Sequence, residues 1–153
     1  MAGDDVMVIE RGERSATVNG IDGHTVQDLP VCTVAAQVKS NKGPIILIMH
    51  QYAYLGKGKT IHSSGQIEYY KNAVDDKSSK VGGKQCIVTP DGYVIPLNIK
   101  NGLAYMDMSK PTDQEFSSLP HVVLTSDSNC DPKLLDSEFD PEVEWQAGCP
   151  RRR

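Results

Sequence analysis

Short β-rich runs interrupted at close intervals by turn residues restrict this chain more than any other feature. Asn19-Gly20 and Asp22-Gly23 supply residues that tolerate positive φ, and Asn41-Lys42-Gly43-Pro44 is a strong turn. Between and around them, Val6-Met7-Val8-Ile9 is rich in β-formers and Ser15-Ala16-Thr17-Val18 alternates small and apolar residues. Val31-Cys32-Thr33-Val34-Ala35-Ala36-Gln37-Val38 has the residue types of a pleated, half-buried surface. A meander of antiparallel strands follows from this order. The continuous apolar run Ile45-Ile46-Leu47-Ile48-Met49 suits a strand covered on both faces.

Beyond the meander the pattern changes. Ser63-Ser64-Gly65-Gln66-Ile67-Glu68-Tyr69-Tyr70-Lys71 reads as a short helix, with a serine to cap it and Ile67 and Tyr70 on one face; Gly65 keeps it short. Residues 74–84 read as a polar connection, and Pro90-Asp91-Gly92 as a tight hairpin joining two more strands. Thr112-Asp113-Gln114-Glu115 is a capping box preceded by Pro111, His121-Val122-Val123-Leu124-Thr125 is a strand candidate, and Asp131-Pro132 is a cap with proline at the first helical position. The fold class expected is mostly β, with residues 1–108 as the β domain and residues 109–153 as an extended, partly disordered tail of short helical turns.

Composition narrows the function classes. With 39% hydrophobic and 24% charged residues, 153 residues make one ordinary globular domain. A mean hydropathy of -0.39 and the lack of an apolar run near the length of a span argue against a membrane protein. The N-terminal Met1-Ala2-Gly3-Asp4-Asp5 carries acid where a signal peptide needs base, so a cytoplasmic location is expected. A net charge of -4 opposes a nucleic-acid backbone, and Arg151-Arg152-Arg153 is too short to reverse that. Cys32, Cys86, Cys130 and Cys149 lie 54, 44 and 19 positions apart without a CxxC pair, which points to free thiols rather than zinc. His24, His50, His62 and His121 share no metal-ligand spacing, and no nucleophile motif surrounds any cysteine. Neither a metal nor a cofactor is expected.

One segment imitates a nucleotide site. Ala53-Tyr54-Leu55-Gly56-Lys57-Gly58-Lys59-Thr60 follows an apolar strand and reads as a phosphate-binding loop with Ala in place of the leading Gly. Gly56, Gly58, Lys59 and Thr60 are the candidate nucleotide-binding residues. Against them, Gly65 interrupts the helix that should face the phosphate, and the residues beyond Thr60 read mostly as hairpins rather than βαβ units. Val122-Val123-Leu124-Thr125-Ser126-Asp127 could imitate an Mg²⁺-binding strand end, but its acid comes two polar residues late. A basic β-turn is the preferred reading.

Three segments carry a family resemblance: Thr60-Ile61-His62-Ser63-Ser64-Gly65-Gln66-Ile67, then Asp91-Gly92-Tyr93-Val94-Ile95-Pro96-Leu97, then Asn101-Gly102-Leu103-Ala104-Tyr105-Met106. Their order resembles the second half of the retropepsin-like aspartic proteases in copia-type retrotransposon polyproteins. There a strand, a short "ISxxQL"-like helix, a "dGxxIPL"-like strand and an "nGLxYm"-like strand follow one another. His62 and Ala104 stand where that pattern has Leu or Tyr. The resemblance implies an acid-protease-like partial barrel, and it places the catalytic Asp-Ser/Thr-Gly just ahead of a segment like Ala2-Gly3-Asp4-Asp5-Val6-Met7-Val8-Ile9-Glu10.

An aspartic protease needs two carboxylates sharing one proton, one to activate water and one to polarise the scissile carbonyl. No Asp-Thr-Gly or Asp-Ser-Gly occurs: Asp22-Gly23 and Asp91-Gly92 lack the hydroxyl, while Asp127-Ser128-Asn129 and Asp136-Ser137-Glu138 lack the Gly. Asp4 and Asp5 read as solvated terminal charges. The chain is thus expected to be a catalytically inactive remnant of a retrotransposon protease region, with no catalytic residues and at most a weak homodimer. The competing expectation is a small β interaction module that holds an extended peptide by strand addition.

Overall fold

The run at 45–49 forms the middle of a strand that is covered on both faces and paired at both edges. The computed structural model describes residues 1–130. In chain order its strands are β1 (Met7–Asn19), β2 (Thr25–Ser40), β3 (Gly43–Ala53), β4 (Ala73–Asp75), β5 (Cys86–Val88), β6 (Val94–Lys100), β7 (Leu103–Met106) and β8 (His121–Thr125), with helices α1 (Ser64–Tyr69) and α2 (Asp113–Ser118). One four-stranded sheet has the order β1-β2-β3-β8 and the other β4-β5-β6-β7. The chain is mostly β, as its turn spacing requires. No described helix is long and apolar enough to cross a membrane.

The meander is present. β1, β2 and β3 pair antiparallel, and β2 passes to β3 through Asn41-Lys42, with Gly43 at φ 94°. The two runs read separately at Val6–Ile9 and Ser15–Val18 belong to one long β1, bent by register shifts between Val8 and Glu10, Arg11 and Ser15, and Ala16 and Val18. Bulges of this kind bend an edge strand and blunt it against further pairing.

Alternation decides which face each side chain meets. Ile45, Leu47 and Met49 of β3 join Val34, Ala36, Val38, Val122 and Leu124 in the main core, which reaches across to Ile67, Ile87 and Ile95 of the second sheet's side. Ile46 and Ile48 point the other way, where they meet Ala35 and are capped by Phe116 and Leu119. Local capping works as the sequence suggested. The Ser63 hydroxyl accepts from Gln66 N–H, and Thr112 and Glu115 form a complete capping box at the start of α2.

Two expectations are corrected. Residues 74–84 are not wholly a connection, because Ala73–Asp75 pairs with β5 as β4. Nor do residues 109–125 form a tail. Gln37 and Ser109 exchange backbone hydrogen bonds, α2 covers the second face of β3, and β8 runs parallel to β3. The physical reason is the exposed edge β3 would otherwise leave, a row of unpaired polar groups beside the most apolar segment of the chain. The helical cap expected at Asp131-Pro132, Cys149 and the terminal arginines lie outside the described residues.

The placement of β8 gives a direct test. Leu124 is fully buried and Val123 is 53% exposed. Leu124→Ala is expected to lower unfolding stability by about 2–5 kcal/mol, the cost of truncating a core leucine. Val123→Ala is expected to stay within about 0.5 kcal/mol. Denaturant unfolding of both variants measures the difference.

Candidate functional site

A cleft of about 760 Å³ lies between the loop after β3 and the β6–β7 hairpin. Its shape depends on the first five residues. Met1–Asp5 lies as an extended segment against residues 53–61. Ala2 N–H donates to the Ala53 carbonyl at 2.8 Å, and Leu55 and Gly56 donate to the Ala2 carbonyl at 2.9 and 3.2 Å. Asp4 N–H donates to the Gly58 carbonyl at 2.8 Å, and Ile61 N–H to the Met1 carbonyl at 2.9 Å. The Met1 ammonium closes the pair by donating to the Ile61 carbonyl at 2.7 Å. Gly3 is needed here, because a Cβ would run into the Gly58 carbonyl.

Asp4 and Asp5, expected as solvated charges, part company. Asp4 is exposed, while the Asp5 carboxylate accepts from Thr60 Oγ1 at 2.5 Å and Thr60 N–H at 3.2 Å. Thr60 Oγ1 in turn accepts from Gly3 N–H at 3.1 Å. The phosphate-binding alternative for Gly56, Gly58, Lys59 and Thr60, set aside above in favour of a basic β-turn, can be compared with this geometry. A phosphate cradle needs free, converging N–H groups and a helix N-terminus facing them. Here the N–H groups of Gly56, Thr60 and Ile61 are taken by the chain itself, and a carboxylate already holds the Thr60 hydroxyl. The next helix, six residues long, starts only at Ser64. Lys59 lies over the Tyr105 ring, 5.7 Å from its centroid.

In the cleft wall, buried Tyr52 is paired with His62, which is half-buried and lines the cleft. Tyr52 Oη and His62 Nδ1 are 2.8 Å apart, with the rings edge to face. Burial pushes the His62 imidazolium down to about 4, the Met1 ammonium adds to that, and Asp5 partly opposes it. Burial also raises Tyr52. Both groups are therefore neutral near pH 7, and one hydrogen bond joins Tyr52 Oη to His62 Nδ1.

The other histidines lie in three separate places. His24 is exposed, His50 Nδ1 meets Thr33 Oγ1 at 2.9 Å, and His121 Nε2 meets the Phe116 carbonyl at 2.6 Å. No Cys–His pair forms at His50, since the neighbouring Cys32 is buried and its thiol reaches the Pro30 carbonyl at 3.7 Å. Among the described residues no group of three or more His, Cys, Asp or Glu side chains is placed to hold a metal ion.

Sequence reasoning missed the Asp5–Thr60 contact, the Tyr52–His62 pair and Gln51. Gln51 sits at φ 62° and its amide Nε2 lies within hydrogen-bond reach of Tyr70 Oη at 2.6 Å and the Ser126 carbonyl at 2.9 Å. These partners are 55, 10, 19 and 75 positions apart in the chain, and no local pattern signals them. No protein-family model, curated protein or solved structure matches the chain.

The half-buried His62 imidazole makes stability fall with acid. An unfolded histidine takes up its proton near pH 6.5, while folded His62 resists until about 4, so between those values the unfolded state binds more protons and stability rises with pH. Lowering the pH from 6.5 to 5 is expected to cost up to about 2 kcal/mol through this group. Denaturant unfolding across that window should show a smaller loss for His62→Gln than for the parent chain.

Proposed function

We propose that this chain corresponds to the part of a copia-type retropepsin-like protease region that follows the catalytic Asp-Ser/Thr-Gly, folded as a partial acid-protease-like barrel, and that these residues do not themselves cleave peptides. One observation carries the reading: the resembling segments fall on the elements their family pattern calls for, in the right order. Ser64 to Ile67 lies on α1, Val94 to Leu97 on β6, and Leu103 to Met106 on β7. Ala2 to Asp5, the segment that the resemblance puts just after the catalytic triplet, forms one support of the cleft beside the β6–β7 hairpin.

The missing chemistry is a second, correctly held acid. Catalysis of this type depends on two carboxylates that share a proton. Asp5, the N-terminal acid that lines the cleft, is engaged by Thr60, and no Asp-Thr-Gly or Asp-Ser-Gly exists to supply the usual loop. The purified chain is expected to show no pepstatin-sensitive cleavage of an unstructured protein substrate at any acid pH. Such cleavage, abolished in an Asp4→Asn/Asp5→Asn variant, would overturn the inactive reading.

The family relationship has its own test in DNA. The genomic sequence upstream of the Met1 codon should encode an apolar strand ending in Asp-Ser-Gly or Asp-Thr-Gly within about ten residues, the reach of one strand and turn. A reverse transcriptase or integrase sequence should lie nearby on the same strand. An upstream region with neither would contradict the relationship.

A further inference from the structure

We propose that Asn101-Gly102, the tip of the β6–β7 hairpin, is a self-modification site: the Gly102 nitrogen attacks the Asn101 side-chain amide, and Asn101 is converted to isoaspartate and aspartate. The site rests on the geometry of the turn and is independent of the protease relationship.

Glycine after Asn or Asp leaves the following main-chain nitrogen without a side chain to shield it. The chain has four such bonds, Asn19-Gly20, Asp22-Gly23, Asp91-Gly92 and Asn101-Gly102. The fold restrains them unequally. At Asn19-Gly20 both reacting groups are engaged, because Gly20 N–H donates to the His24 carbonyl at 2.6 Å and Asn19 Oδ1 accepts from the Thr25 hydroxyl at 3.2 Å. At Asp91-Gly92 the Gly92 N–H donates to the Thr89 carbonyl at 3.0 Å, and the Asp91 carboxylate accepts from the Thr89 hydroxyl. Asp22 presents a carboxylate, whose negative charge repels an incoming nitrogen lone pair.

At Asn101-Gly102 nothing holds either group. Both residues are exposed, and neither the Gly102 N–H nor the Asn101 side chain bonds to another described residue. The space that a Cβ on Gly102 would take is open to 4 Å. Asn101 and Gly102 sit at φ 51° and 79°, the positive pair of a tight hairpin turn, and the turn is closed by the pairing of Lys100 with Leu103. β7 pairs only with β6, so the tip can open without disturbing β3 and its neighbours.

The reaction needs only water. The Gly102 nitrogen loses its proton to solvent base and bonds to Asn101 Cγ; the Cγ–Nδ2 bond breaks, and the nitrogen leaves as ammonia after taking protons from water. Water then opens the succinimide ring, adding its hydroxyl to a carbonyl carbon and its proton to the ring nitrogen. Opening at the side-chain carbonyl gives aspartate. Opening at the main-chain carbonyl gives isoaspartate, which routes the backbone through Cβ and adds one atom to a turn whose length fixes the strand register. Either product places a new carboxylate beside Lys100 in the lining of the cleft.

The experiment incubates the full chain at mildly alkaline pH, once folded and once in denaturant. Acid digestion and mass spectrometry follow each bond, and a protein isoaspartyl methyltransferase labels isoaspartate. In the folded chain Asn101 is expected to convert about thirtyfold faster than Asn19, equivalent to about 2 kcal/mol for the two hydrogen bonds that hold Asn19-Gly20. In denaturant the two asparagines should convert at similar rates. Asn101→Gln, at an exposed position, should remove most of the label from the folded chain. Equal rates at Asn19 and Asn101 in the folded chain, a difference that persists in denaturant, or a label undiminished in Asn101→Gln would overturn the proposal.

Discussion

The fold depends on the need to cover β3. Ile45, Ile46, Leu47 and Met49 are fully buried and Ile48 nearly so, which requires protein on both faces and pairing on both edges of one strand. Burying a large aliphatic side chain contributes about 1.5–3 kcal/mol, so five in succession outweigh most other local preferences in this chain. β2 covers one edge as a direct hairpin partner. The other edge is closed only after a long excursion, when β8 returns parallel and brings α2 onto the face with Ile46 and Ile48. Polar groups secure the arrangement: Asn72 donates to the Ile67 and Leu124 carbonyls at 2.8 Å each, and the Thr125 hydroxyl reaches the His50 carbonyl at 2.8 Å.

Much of this was legible because it is local. The β2–β3 hairpin follows from Asn41-Lys42-Gly43-Pro44 and the runs beside it, and both helix starts follow from caps within a few residues of each other. The return of β8 was not legible as a partner of β3. His121 to Thr125 alternates exposed and buried side chains, which identifies a strand, but parallel pairing across more than seventy residues leaves no mark in either segment. β4 was hidden by its shortness and by the lysines and serines that come after it.

The site was less legible than the fold, for the same reason in sharper form. Gly56, Gly58, Lys59 and Thr60 look like a phosphate loop only while Met1 to Asp5 is left out. Once the N-terminal segment is laid against them, an internal carboxylate and internal carbonyls use the groups that an external anion would need. The same segment gives the cleft a fixed wall, and the free edge of β7 faces it.

Amide hydrogen exchange tests this account most directly, because it reads the core strand and the cleft wall in one measurement. The slowest amides should be those of β3 and its neighbours in β2 and β8, opening together as one unit. The N–H groups of Leu55, Gly56, Thr60 and Ile61, which bond to Met1, Ala2 and Asp5, should be strongly protected although they lie in a loop. If those four exchange at the rate of an unstructured chain while β3 stays protected, the N-terminal segment does not hold the wall, and the cleft has no fixed shape.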